Sequence, residues 1–193
     1  MFCEIDLTNN TPIECQIQLV NDCGFNIKQI LSKFGKETST DVLIAAVQSE
    51  PTSLLMILSD FKRETPEEVL IEAMKGDSRI FFNIFKFFRH EISEDVMIAG
   101  VQSDPAHLKH IFKQFGTKTP KSVLMAAVQT NGHSIRAIME EFGEETPDFL
   151  MEEAVLRWPS AITHVIGKCS DQFEAVIEQS IEPYLSLRKN FGI

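Results

Sequence analysis

The side chains best able to do chemistry in this chain recur in register. Asn21, Gln48, Lys75, Gln102 and Gln129 follow one another at intervals of 27 residues, and all but Lys75 are carboxamides. A row of amides at fixed spacing can hydrogen-bond the backbone of an extended peptide, or read the edges of successive bases as base-reading helical repeats do. The competing use is inward, as amide bonds between neighbouring units or plain hydration. A second group is aromatic. In RIFFNIFKFFRH, residues 79–90, Phe81, Phe85 and Phe88 have the spacing of a buried helix face, whereas Phe82 and Phe87 fall outside it. Equivalent places elsewhere carry Lys109, Arg136 and Thr163 for Phe82, and Gln114, Glu141 and Lys168 for Phe87. Leu55 stands one unit before Phe82, so the three residues compose an apolar patch of the kind that marks a partner-binding or self-association surface. The alternative is a turned helix that thickens the core.

Histidine supplies a third group: His90, His107, His110, His133 and His164. His107 and His110 share a helix at i and i+3, and with His90 they form a candidate metal set. No HExxH, paired carboxylate or cysteine completes it, so surface histidines are expected and no metal or cofactor is assigned. Glu140, Glu141, Glu144 and Glu145 read as a solvated turn. Trp158, directly before Pro159, reads either as a partly exposed anchor or as packing over a C-terminal cap. Phosphate loops, nucleophile elbows and dinucleotide fingerprints are missing from the sequence, so no catalytic residue is assigned and a non-enzymatic surface is expected.

Elements that could hold such columns are written in the same beat. Phe34, Phe61, Phe88, Phe115 and Phe142 each follow the last by 27 residues, and a weaker copy of the unit occupies residues 7–33. Self-similarity at a short fixed period is the mark of stacked units that cannot bury their apolar faces alone. A first helix is expected to begin at Thr11, Thr38, Thr65, Ile92 (with Ser93 taking over as cap), Thr119 and Thr146. Proline then falls at the first helical position in several units, with Thr11/Glu14 and Thr65/Glu68 as capping boxes. Its body repeats a small residue at Ala46, Ala73, Gly100, Ala127 and Ala154, where helices of adjacent units must approach closely. Pro51, Pro105 and Pro159 are placed to start a second helix. That helix carries stripes such as Leu54, Ile57, Leu58 and Phe61, and closes on the recurrent phenylalanine with Gly35, Gly116 or Gly143 after it. Helices of about ten residues are unstable alone in water, so the stack must stabilise them. The expected fold is all-α: a right-handed two-layer α-α solenoid of about six to seven helical-hairpin repeats in one domain. Residues 1–33 would form an N-terminal cap and first repeat, 34–168 five regular repeats, and 169–193 a degenerate C-terminal capping repeat of a complete chain.

Composition narrows the partners. With 28 acidic against 18 basic residues the net charge is −10, which repels phosphate backbones and argues against nucleic acid. Residues 61–114 carry 8 basic and 9 acidic residues, so the middle is nearly neutral between acidic ends. Cys3, Cys15, Cys23 and Cys169 show no CxxC spacing, which favours a reduced, intracellular protein. The start MFCEIDLTNN lacks the features of a signal peptide, and no apolar run approaches the length of a membrane span.

The segments TPEEVLIEAM, TPKSVLMAAVQ and SEDVMIAGVQ, each followed by an amphipathic helix, resemble the short two-helix repeats that accompany ankyrin arrays in fungal receptor-like proteins. VQSEP and VQSDP are also similar to leucine-rich-variant repeats, whose iron-sulfur cluster is not carried over because Cys3, Cys15 and Cys23 lack a fourth nearby cysteine. Either resemblance implies a binding scaffold. The function expected is therefore a non-catalytic protein-protein interaction scaffold or adaptor, binding a protein or peptide through Leu55, Phe82, Phe87, Gln48, Lys75, Gln102, Gln129 and Trp158, with self-association through the Phe82 patch as one form. Rival expectations are an RNA-binding repeat, with Lys86, Arg89, Lys109 and Lys113 touching phosphates, and a metal-dependent protein using His90, His107 and His110.

Overall fold

Each 27-residue period folds as a longer helix, a short break and a shorter helix. In the computed structural model, which describes residues 7–8 and 10–165, the longer helices are α1 (Ile13–Asp22), α3 (Thr40–Ser49), α5 (Glu67–Gly76), α7 (Glu94–Ser103), α9 (Lys121–Thr130) and α11 (Asp148–Arg157). The shorter ones are α2 (Ile27–Phe34), α4 (Leu54–Phe61), α6 (Ile80–Phe88), α8 (Leu108–Phe115), α10 (Ser134–Phe142) and α12 (Ile162–Val165). The protein is an all-α helical-repeat solenoid by this element order, with no strand among the described residues. The N-terminal residues 1–6, the expected capping repeat over 169–193, Lys168, Cys3 and Cys169 lie outside the described residues.

The chain divides into two compact units, Met1–Ser103 and Asp104–Ile193. Within the first, α1, α3, α5 and α7 pack side by side as one layer, while α2 packs on α4 and α6 on α5. Within the second, α9 packs on α11 and the shorter helices α8, α10 and α12 pack in series. The buried stripes of α3 and α4 are the ones their periodicity predicts, whereas in α6 Phe81 and Phe88 are buried as expected but Phe85 is half-buried and Ile84 takes the core place. Val42, Leu43, Ala46 and Val47 of α3 and Leu54, Ile57, Leu58 and Phe61 of α4 are all buried.

The recurrent threonines do something other than cap. Helices start two residues later than their positions predict, with Pro12, Pro66, Pro120 or Pro147 at the N-cap and no capping box. Thr38, Thr65, Thr119 and Thr146 are instead buried, and each hydroxyl donates to the carbonyl three residues earlier at 2.7–2.8 Å. Proline after Thr65, Thr119 and Thr146 holds them extended, which keeps threonine out of the helix and leaves its hydroxyl to close the preceding turn; Thr38, before Ser39, takes the same extended conformation. Two helices do gain serine caps: Ser39 accepts from the Asp41 N–H, and Ser93 from the Val96 N–H. Pro51, Pro105 and Pro159 open 3-10 turns that lead into α4, α8 and α12.

The small-residue column is buried throughout, and its one glycine has a local cause. A Cβ on Gly100 would lie 2.4 Å from the Phe81 ring, which is itself fully buried. Position 81 holds phenylalanine where the other units hold Ile27, Leu54, Leu108 and Ile135, and only there does the small partner shrink from alanine to glycine. Close-packed interiors require this compensation of volume.

At the turn after each shorter helix the chain takes a positive φ. Gly35, Gly116 and Gly143 adopt φ of 52, 54 and 57°, as glycine allows, but Lys62 and Arg89 take 54 and 52° at the corresponding turns. Such a conformation costs a side-chain-bearing residue roughly 1–3 kcal/mol.

Candidate partner-binding surface

Helix α6 carries two sets of rings. Ile80, Phe81, Ile84 and Phe88 fill the core, while Phe82 and Phe87 point outward, 44 % and 37 % exposed; Leu55 on α4 is 50 % exposed. These three side chains are therefore exposed and do not thicken the core; Leu55 and Phe87 share a groove, which Phe82 does not line. The outer rings lean on the inner ones: Phe82 meets Phe81 edge-on at 6.4 Å between centroids, and Phe87 meets Phe88 at 5.4 Å. Aromatic pairs of this geometry contribute about 0.5–1.5 kcal/mol beyond their buried area, which holds the exposed rings in place.

Between α4 and α6 lies a groove of about 570 Å³ with the exposed Leu55 and Phe87 on its sides and the buried Leu58 beneath. Arg63, Lys86 and Arg89 also line it, and no carboxylate does. A second hollow of about 400 Å³, between α2 and α4, has Leu55 on its edge together with Lys28 and Asp60. Arg63 forms an ion pair with Glu91, whereas Lys86 and Arg89 enter none among the described residues. Lys86 and Arg89 were legible in the sequence only as candidate phosphate contacts, and Arg63 was not singled out there. Their gathering beside Leu55 and Phe87 depends on how α4 and α6 lie against each other.

The amide column is spent differently. Gln48 donates to the Glu72 carboxylate at 3.0 Å, and Gln129 donates to Glu153 at 3.2 Å, each bond joining one longer helix to the next. Lys75 reaches back to Glu72 at 2.6 Å. The Lys75 ammonium, followed by the Gln48 amide, holds the Glu72 carboxyl below the usual carboxylate range. Asn21 and Gln102 are exposed. The column thus supplies rungs between units at Gln48 and Gln129, the inward use of the two that its spacing allowed. In the sixth unit it ends in Leu156, which is 57 % exposed, and Phe149 on the same helix lies 6.0 Å from the Lys121 ammonium. Both were readable by extending the columns one unit further.

The histidines separate into unlike environments. His107 is buried, against the expectation of a surface position, because it holds the same place as the buried Ser53, Ile80, Ser134 and Ala161 of other repeats. Desolvation, then the nearby charges of Lys113 and His107, pushes the His110 imidazole below its ordinary range. His133 and His164 meet at 3.2 Å between ring nitrogens. Among the described residues no three His, Cys, Asp or Glu side chains gather as metal ligands. Trp158 is 38 % exposed, and its Cβ stands 2.5 Å from where a Cβ on Gly132 would fall, so it packs over that glycine. Glu140, Glu141, Glu144 and Glu145 are exposed, with Glu140 paired to Arg136. Cys15 and Cys23 are free thiols.

No protein-family model, curated protein or solved structure matches the chain. Among the described residues, no helix is long and apolar enough to cross a membrane.

Proposed function

We propose that this chain is a non-catalytic interaction module that holds a protein or peptide partner on the shorter-helix layer of its first unit. One observation carries the reading: Leu55, Phe82 and Phe87 are exposed large apolar side chains at positions where sister units place polar ones, and the two rings are braced from beneath. Rigid aromatic anchors beside a groove are what protein interfaces use as energetic centres, because little side-chain entropy is lost when they are covered. The resemblance to two-helix repeats that accompany ankyrin arrays supports the same class. Two of the amides that a base-reading scheme would need are bonded to carboxylates, which favours the protein partner over RNA. The free cysteine pattern favours an intracellular setting.

The test is affinity capture with the intact chain and with a Leu55→Asp/Phe82→Asp variant whose helical circular dichroism matches it. Partners retained by the parent should be lost from the variant. Identical capture profiles would discard this surface.

A further inference from the structure

If the chain is an interaction module, the partner's chemistry is written in the groove between α4 and α6. Resting on that reading, we infer that the groove takes a short acidic amphipathic segment of another protein, its apolar side chains covering Leu55 and Phe87 and its carboxylates meeting Lys86 and Arg89. Charge complementarity is the first argument. The chain carries a net charge of −10, yet three cations and no carboxylate line this groove. Lys86 and Arg89 have no ion-pair partner among the described residues, so their charges are available to an incoming anion.

Backbone strain supplies the second argument. The five turns that follow the shorter helices share one positive-φ conformation, and three of them are glycine. The two that are not, Lys62 and Arg89, end the helices on either side of the groove; Arg89 lines it, and Lys62 precedes the lining residue Arg63. Glycine at both positions would relieve the backbone. Cations stand there in spite of the strain, and strain kept against an available remedy points to function more than to folding.

Two other occupants fit less well. A second copy docking through the same patch would form a two-fold contact and bring two cationic groove rims together, at like-charge cost. An RNA strand would extend its phosphates beyond three cations onto surfaces bearing Glu64, Glu67 and Glu68, on a chain that repels polyanions overall.

The experiment uses the full chain against three peptide arrays with the same apolar spacings, the other positions being Asp/Glu, Asn/Gln or Lys/Arg. A labelled oligouridine and sedimentation of the chain alone run beside them. Expected are binding to acidic peptides at least tenfold tighter than to neutral ones, weakening with salt, and loss or reversal of that preference in Lys86→Glu/Arg89→Glu. In Lys62→Gly/Arg89→Gly, acidic-peptide affinity should fall while the melting temperature rises, a combination that a purely structural role for these cations does not give. Neutral peptides bound as tightly as acidic ones, with binding abolished by Phe87→Asp, would overturn the acidic partner and leave the interaction surface standing. Absence of binding to every array would sink both. Tighter binding of oligouridine, or self-association lost on Phe87→Asp, would replace the proposed occupant.

Discussion

Helices α6 and α10 occupy the same place in their repeats and share one inner face, yet their outer faces are opposite in kind. Inward, Phe81, Ile84 and Phe88 correspond to Ile135, Ile138 and Phe142. Outward, α10 shows Arg136 paired with Glu140 and an exposed Glu141, where α6 shows Phe82, Lys86 and Phe87; the turn beyond is Gly143 in one and Arg89 in the other. The inner stripe is held constant by packing against the stack, so the outer face was free to diverge. The difference teaches that the α10 pattern is what the fold needs and that the α6 pattern is something added to it.

The largest expected effect tests the one place where that addition reached the core. Gly100→Ala drives a Cβ into the Phe81 ring and should destabilise the chain by about 1–3 kcal/mol in urea unfolding. The added Phe81→Leu, which recreates the pairing of Leu54 with Ala73 or Leu108 with Ala127, should recover most of that loss. A double-mutant cycle reads the coupling directly, and additivity of the two substitutions would show that Phe81 and Gly100 are not a compensating pair.

Next in size is the turn closure common to both faces. Thr65→Val removes a buried hydroxyl that donates to the Lys62 carbonyl and should cost about 1–2 kcal/mol, with Thr146→Val alike because Gly143 receives the same bond. An effect confined to Thr65 would mean that the threonine matters through the cationic turn alone.

Transplanting the outer face comes third. A chain with Phe82→Arg, Lys86→Glu, Phe87→Glu and Arg89→Gly should fold, and relief of the positive φ at position 89 alone should contribute about 1 kcal/mol of added stability by thermal melting. A less stable Arg89→Gly variant would show that the arginine side chain supports the fold, and would remove the strain argument.

The smallest expected effect is a pH response. Burial opposes the charged form of His110, so its pKa in the folded chain lies below its unfolded value. A depressed pKa contributes stability that is complete above the unfolded imidazole value and is lost as pH falls through the folded one, so the window opens in the ordinary imidazole range and runs below it. Melting temperature should fall across that window, and less steeply in His110→Gln. Parallel curves for the two proteins would assign the fall to other groups.

Periodicity made much of the fold legible. The buried stripes, the closing phenylalanines at Phe34 and Phe142, the glycine turns and the exposed position of Phe82 can each be read by aligning a residue with its sisters, because a repeat supplies its own comparison. The threonine role was not legible, since a Thr-Pro pair at a helix start satisfies the pattern of a cap and of a turn closure equally, and only the direction of the hydroxyl separates them. The burial of His107, by contrast, follows from its sisters Ser53, Ile80, Ser134 and Ala161, which are small or apolar and buried as it is.

What the sequence determined by itself is the set of local elements, because helix period, turn residues and the small-residue column act over a few neighbours and repeat five times over. What only the tertiary structure decided is which side chains from separate helices share a surface. Gln48 meeting Glu72, Phe81 fitting Gly100, and three cations gathering beside Leu55 and Phe87 all depend on the distance and rotation between packed helices, quantities set by the whole stack and encoded in no single unit.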